Sequence, residues 1–361
     1  MPATRHVTVE GRFRMKEGVL ERPTIAYETW GELAAAADNV VLIFTGLSPS
    51  AHAASSPGDR RSGWWEDMIG PGKPIDSNRF FVICVNSLGS CFGSTGPASD
   101  DPRTGMPYRL TFPMLHVEDI ANGGVAVLDH LGVERLHTVL GASMGGMTAL
   151  AFAMLHPARA DGLVTISSAA RSLPFSIAIR SLQREIIRRD PAWQGGNYEP
   201  DQGPTVGMRL ARKLGMISYR SADEWAERFG RERTTDRGSD DAFGLDFEIE
   251  SYLEAHAQKF VGAFDANCYL YLSRAMDLFD VADHGGSLEE GFARVQVRRA
   301  MVVGVESDFL FPIEQQQELA RGLNGPVTDV VFHRLPSIQG HDSFLVDMDR
   351  FRPVVARYFR A

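Results

Sequence analysis

Cysteine is scarce in this chain, with only Cys84, Cys91 and Cys268 among 361 residues. An odd number without paired spacing argues against a disulfide framework and against a thiolate metal centre, so all three are read as reduced thiols. Positive charge is also short: 37 lysines and arginines face 46 aspartates and glutamates, a formal charge of -9. That balance offers no general cationic surface to nucleic acid or an anionic membrane, so neither is an expected partner. Long apolar runs are missing, none approaching the roughly 18 residues of a membrane span, and the opening Met1-Pro2-Ala3-Thr4-Arg5-His6 has no secretion-signal core. A cytoplasmic protein is expected. Histidines and carboxylates show no H-E-x-x-H or comparable pairing, so no metal is expected. Internal repeats and low-complexity tracts are absent too.

What is present is an ordinary globular balance, 44% hydrophobic and 23% charged, in a chain long enough for one large α/β domain with an insertion or for two domains. A strand is expected over residues 24–30. Apolar runs at 39–44 and 80–85 have the signature of strands buried on both faces, and 136–140 and 162–166 read as a third buried strand and a further strand. Helical patterns at 117–131 and 147–155 alternate with them, which favours a mostly parallel sheet. The alternation stops near residue 173, where long helical patterns rich in aromatics and arginine begin. It resumes with a strand at 297–305, a helix at 312–323, a strand at 327–335 and a final helix. The expected division is a core in two parts, 1–172 and 291–361, bracketing a helical lid insertion at 173–290.

Gly141-Ala142-Ser143-Met144-Gly145 matches G-x-S-x-G between a buried strand and an apolar helix, the context of a nucleophile elbow. A serine hydroxyl needs a base, and the base an orienting carboxylate. Asp308 lies just past the strand at 297–305 and His341 in the loop after the last strand, so the order Ser143, Asp308, His341 predicts a triad. Asp342 competes for the acid role, yet a residue adjacent to the base cannot easily turn back to orient it; an ammonium group suits it better. For the oxyanion hole the expectation is the Leu47 N–H, from the loop after the strand at 39–44, together with the Met144 N–H.

In the segments Gly63 to Asp76 (beginning Gly63-Trp64-Trp65-Glu66-Asp67-Met68), Asn86 to Ser99 (beginning Asn86-Ser87-Leu88-Gly89-Ser90-Cys91), Gly141 to Met147 and Gln339 to Leu345 (Gln339-Gly340-His341-Asp342-Ser343-Phe344-Leu345), the sequence resembles the homoserine O-acyltransferase family, through nearly its whole length. The resemblance implies an α/β-hydrolase fold, a ping-pong mechanism in which Ser143 takes an acyl group from a coenzyme A thioester, and a homodimer. No cofactor is implied, since the acyl-CoA is a co-substrate and a small amino acid the acceptor. It also implies that Arg212 binds the amino acid's carboxylate and Asp342 its ammonium group.

Within that family the chain looks most like the serine O-succinyltransferase branch. The segment from Pro174 to Glu185 and the loop from Thr45 to His52 carry that impression, and Ser48-Pro49-Ser50-Ala51 within the loop is the expected specificity stretch, because homoserine enzymes typically show glycine where Pro49 stands. A stiffer loop could shorten the pocket by about a methylene, worth about 1 to 3 kcal/mol of discrimination. A succinyl donor needs a cation for its carboxylate, and Arg180 is the candidate, with a lid ion pair to Glu185 or Asp190 as the alternative. Leu310 departs from homoserine succinyltransferases, which place an arginine there, and by itself favours acetyl transfer. The resulting expectation is transfer from succinyl-CoA to L-serine for cysteine biosynthesis. Homoserine O-succinyl- or O-acetyltransfer, and plain hydrolysis by the same triad, are the alternatives.

Overall fold

The computed structural model describes residues 3–234, 243–325 and 328–360. Its main sheet has eight strands: β1 (Arg5–Thr8), β2 (Thr24–Trp30), β3 (Val40–Phe44), β4 (Phe81–Val85), β5 (Thr138–Ala142), β6 (Gly162–Ile166), β7 (Arg299–Val305) and β8 (Asp329–Leu335). They lie in the order β1-β2-β4-β3-β5-β6-β7-β8. Only the β1–β2 and β2–β4 pairings are antiparallel; the other five are parallel. The strands in the middle read as unbroken apolar runs because both faces are covered, and every residue of β3, β5 and β6 is buried.

Leu140 in β5 pairs with Ile43 of β3 on one side and Val164 of β6 on the other. β5 is therefore central, and the chain leaving its carboxyl end emerges where open α/β sheets present ligands. Two helices cover this region, α1 (Val117–His130) and α2 (Met144–Leu155). All of α2 but Leu155 is buried, which is why it is apolar all round rather than along one stripe.

Between β6 and β7 the described residues form helices α3 (Pro174–Arg189), α4 (Thr205–Tyr219), α5 (Ala222–Phe229), α6 (Glu248–Phe260), α7 (Ala266–Leu278) and α8 (Leu288–Phe292), with short 3-10 turns. α3 and α4 approach closely at Gly207, where a Cβ would lie 2.9 Å from Ile187 Cα. Gln183 Nε2 also donates to the Ala211 carbonyl, at 2.9 Å. After β7 the chain forms α9 (Ile313–Leu323), and after β8 it forms α10 (Ser343–Val346) and α11 (Met348–Arg360). Among the described residues no helix is long and apolar enough to cross a membrane.

Element bounds differ from the sequence expectations in instructive places. The strand expected at 136–140 runs Thr138–Ala142, and Leu136 makes only an isolated bridge to Ala160. The helix expected from 147 begins at Met144, because Gly145 and Gly146, which look like turn residues, form its first turn. The strand expected at 327–335 is Asp329–Leu335, and Val327 lies outside the described residues. β1 and the hairpin Arg12–Arg14 with Val19–Glu21 were not anticipated; strands of three or four residues carry too few alternations to register as a pattern.

Candidate active site

Ser143 has φ 56° and ψ -124°, a left-handed conformation that a non-glycine residue rarely holds. The strand-to-helix turn forces it, and the turn is possible only because its neighbours lack side chains. A Cβ at Gly141 would sit 2.0 Å from the Gly145 oxygen, and a Cβ at Gly145 would sit 2.2 Å from the Phe44 oxygen. Both obstacles are backbone and cannot rotate away. Gly145→Ala is accordingly expected to destabilise the protein by about 3 kcal/mol, read as a lower midpoint in urea unfolding; an unchanged midpoint would contradict the packing described here.

His341 Nε2 lies 2.8 Å from Ser143 Oγ, and His341 Nδ1 lies 2.8 Å from Asp308 Oδ2. Asp308 Oδ1 accepts the N–H groups of Leu310 at 3.0 Å and Phe311 at 2.9 Å, so this carboxylate is clamped on both oxygens. With Nδ1–H donating to Asp308, Nε2 is left as the acceptor for the Ser143 hydroxyl. Phe311 stacks on the imidazole with centroids 5.1 Å apart, and Phe344 meets it edge-on. Burial disfavours the imidazolium, but the charge and hydrogen bond of Asp308, helped by Asp342, outweigh it, and the His341 pKa is raised above the usual imidazole value.

Neither the Leu47 N–H nor the Met144 N–H donates a hydrogen bond to a described residue. Leu47 lines one cavity with Ser143, and Met144 follows Ser143 as the first residue of α2; free amides in such places are the kind of donor an oxyanion hole uses.

A cavity of about 130 Å³ opens over Ser143. Ser48 and Pro49 line it, whereas Ser50 and Ala51 do not. The Ser50 carbonyl instead accepts the Trp64 indole N–H at 3.0 Å, its hydroxyl accepts the His52 N–H at 3.2 Å, and Ala51 is buried behind the loop. The expected specificity stretch thus shortens to its first two residues where contact with the cavity is concerned.

Arg180 lines the same cavity, but its partner is neither Glu185 nor Asp190. Its Nε donates to Asp277 Oδ1 and its Nη2 to Ser172 Oγ, each at 2.6 Å. Arg184 lies 2.7 Å from the other oxygen of Asp277, so two guanidiniums share one buried carboxylate and a net positive charge stays beside the cavity. Glu185 pairs with Arg189, and Asp190 accepts from the Ala192 and Gly207 amides.

Arg212 and Asp342 both line the cavity. The Arg212 guanidinium lies 4.7 Å from the Phe260 ring centroid, and its Nε is buried with no hydrogen-bond partner among the described residues. Asp342 Oδ2 lies 3.7 Å from Arg220 Nε. Burial raises the Asp342 pKa, an effect that His341, Arg220 and Arg212 oppose but do not cancel.

Tyr219, Gln183 and Trp64 also line the cavity, and sequence reasoning did not single them out. Two had a usable signal: Gln183 is three residues after Arg180, and Tyr219 seven after Arg212, spacings that place each pair on one helix face.

Residues 39–347 match the family described as the alpha/beta hydrolase fold. The chain is 57% identical to a serine O-succinyltransferase of Litchfieldella anticariensis, covering 99% of this chain and 98% of that protein. Among solved structures it is similar to the homoserine O-acetyltransferase from Bacillus anthracis, with a TM-score of 0.87 at 27% identity, covering 100% of this chain and 99% of that one. It is also similar to esterase E22, with a TM-score of 0.88 at 28% identity, covering 98% and 99%. The elbow at Ser143, the order of the eight strands and these likenesses agree: the chain belongs to the α/β-hydrolase fold family, in the branch represented by relatives named serine O-succinyltransferase.

Proposed function

We propose that the protein transfers a succinyl group from succinyl-CoA to the hydroxyl of L-serine, giving O-succinyl-L-serine for cysteine biosynthesis. Ser143 Oγ attacks the thioester carbonyl as His341 Nε2 takes its proton, and the Leu47 and Met144 amides hold the oxyanion. Collapse of the adduct breaks the C–S bond, and the imidazolium returns the proton to the departing coenzyme A thiolate. The substrate hydroxyl then attacks the Ser143 ester while giving its proton to His341. The second adduct expels Ser143 Oγ, which recovers that proton.

The observation that carries this reading is the pair at the cavity wall, Asp342 and Arg212, whose buried Nε has no hydrogen-bond partner among the described residues. A buried donor without a partner costs about 1 to 3 kcal/mol, and a substrate carboxylate relieves that cost while Asp342 receives the ammonium group. The same two charges have no counterpart in a simple ester substrate, which favours an amino-acid acceptor over hydrolysis. The helices between β6 and β7 act as the lid that keeps water from the acyl-enzyme.

Succinyl is favoured as the acyl group by the net charge of the Arg180, Arg184 and Asp277 cluster. Arg180→Leu leaves Asp277 paired with Arg184, and is expected to lower the kcat/KM ratio of succinyl-CoA over acetyl-CoA about tenfold, the worth of one charge-assisted contact. The whole proposal is tested by thiol release with succinyl-CoA and acetyl-CoA crossed with L-serine and L-homoserine. The highest kcat/KM is expected for succinyl-CoA with L-serine; a higher value for homoserine would refute the acceptor assignment, and one for acetyl-CoA the donor assignment.

A further inference from the structure

A second cavity, of about 310 Å³, adjoins the one over Ser143, and Arg212 and Asp342 line both. Its walls come from α4, α5 and α6, and they concentrate positive charge in a chain whose net charge is -9. Arg212, Arg220 and Lys259 face it against the single carboxylate Asp342. Arg220 is partly compensated, with Nη1 donating to Gln339 Oε1 at 3.0 Å and Glu224 and Asp342 at 3.6 and 3.7 Å. Lys259 is exposed and forms no ion pair among the described residues; Glu254 of its own helix is engaged by Arg209 and Lys213 instead. Met216, His256, Phe260, Trp225 and Tyr252 complete the wall; the Tyr252 ring is engaged by His256, with centroids 4.0 Å apart, and by the Arg228 guanidinium 4.3 Å from its centroid, whereas the half-buried Trp225 meets Tyr252 edge-on at 5.9 Å. Cations beside half-buried aromatic rings suit a ligand that is both a phosphate ester and a flat heterocycle.

The cavity over Ser143 is too small, at about 130 Å³, to enclose a whole acyl-CoA. A donor whose thioester reaches Ser143 must leave its nucleotide outside, and the adjoining cavity has the matching chemistry. We propose that this second cavity binds the phosphorylated adenosine end of the acyl-CoA, with Lys259 as a phosphate contact and Trp225 as the purine surface. The proposal rests on the acyl-CoA reading of function given above. It has a kinetic corollary: the donor's arm passes between Arg212 and Asp342, the two groups that afterwards hold the amino acid. Coenzyme A must therefore leave before the acceptor can bind, and high L-serine competes with succinyl-CoA.

The test uses adenosine 3′,5′-bisphosphate as the probe on the full-length protein. Calorimetry is expected to show binding to the wild type that weakens about tenfold in Lys259→Ala, with unfolding midpoints unchanged because Lys259 is exposed. In parallel, the kcat/KM of succinyl-CoA relative to a succinyl thioester of N-acetylcysteamine, which lacks the nucleotide, is expected to fall by a similar factor. Absence of wild-type binding, equal binding by both proteins, or a ratio that does not move would each overturn the proposal. Were the wild type to bind the bisphosphate through Lys259 yet release no thiol with any amino acid, the nucleotide site would stand and the transferase reading would fail.

Discussion

Ser143→Ala is expected to lower kcat by roughly 10⁴ to 10⁶-fold while leaving the fold intact, because the hydroxyl is the only atom of the triad that would bond to the acyl group. The substitution keeps the Cβ that the left-handed turn already accommodates, so unfolding in urea should move little. The side chain's neighbours would also persist, since His341 keeps its bond to Asp308 through Nδ1. The result separates chemistry from binding: succinyl-CoA should still bind, with no covalent adduct in the intact-protein mass. A variant retaining a tenth of wild-type turnover would show that another group carries the acyl chain.

The second large effect is expected at Asp308. Its carboxylate accepts Nδ1–H of His341 and two backbone amides, so Asp308→Asn keeps the shape but offers the imidazole an amide N–H in place of an acceptor. The ring then turns to the tautomer with hydrogen on Nε2, which cannot take the proton of Ser143, and kcat should fall by about 10⁴-fold. The pH dependence carries a further sign. His341 works as a base only when neutral, so kcat/KM rises with pH through its pKa. Burial lowers that pKa, but Asp308 raises it more, and the net shift is upward. The wild-type acid limb is therefore expected above the ordinary imidazole value, near 6.5, and removal of the Asp308 charge should move the residual activity's acid limb to lower pH. A limb that stays in place would mean that Asp308 does not set the charge state of His341.

The parts of the site that were legible in the sequence are those with a local signature. Ser143 sits in a turn whose glycines are required by contacts of 2.0 and 2.2 Å, and that steric demand writes itself into five consecutive residues. Asp308 and His341 were found by their places after β7 and β8 rather than by their neighbours, because the sheet order converts position along the chain into position at the site. What remained hidden depends on contacts without a sequence period. Asp277 is 97 residues beyond Arg180, and nothing in either helix announces that the two meet. The loop 48–51 illustrates the limit at short range as well: which of its side chains face the cavity is decided by Trp64 and His52 capturing Ser50, a tertiary outcome that the loop's own residues do not encode. β1 escaped notice for a different reason, since four residues supply barely two periods of alternation.

The central claim is that an acyl group rests on Ser143 between donor and acceptor. The most direct measurement mixes the protein with succinyl-CoA and no amino acid, follows thiol release, and then adds L-serine. The account predicts a burst of one thiol per active site that then stops, a succinyl group mapped to the peptide containing Ser143, and renewed release when L-serine arrives. Continuous thiol release without any amino acid would contradict it by making water the acceptor, and release that begins only with serine, with no adduct on Ser143, would contradict the covalent intermediate itself.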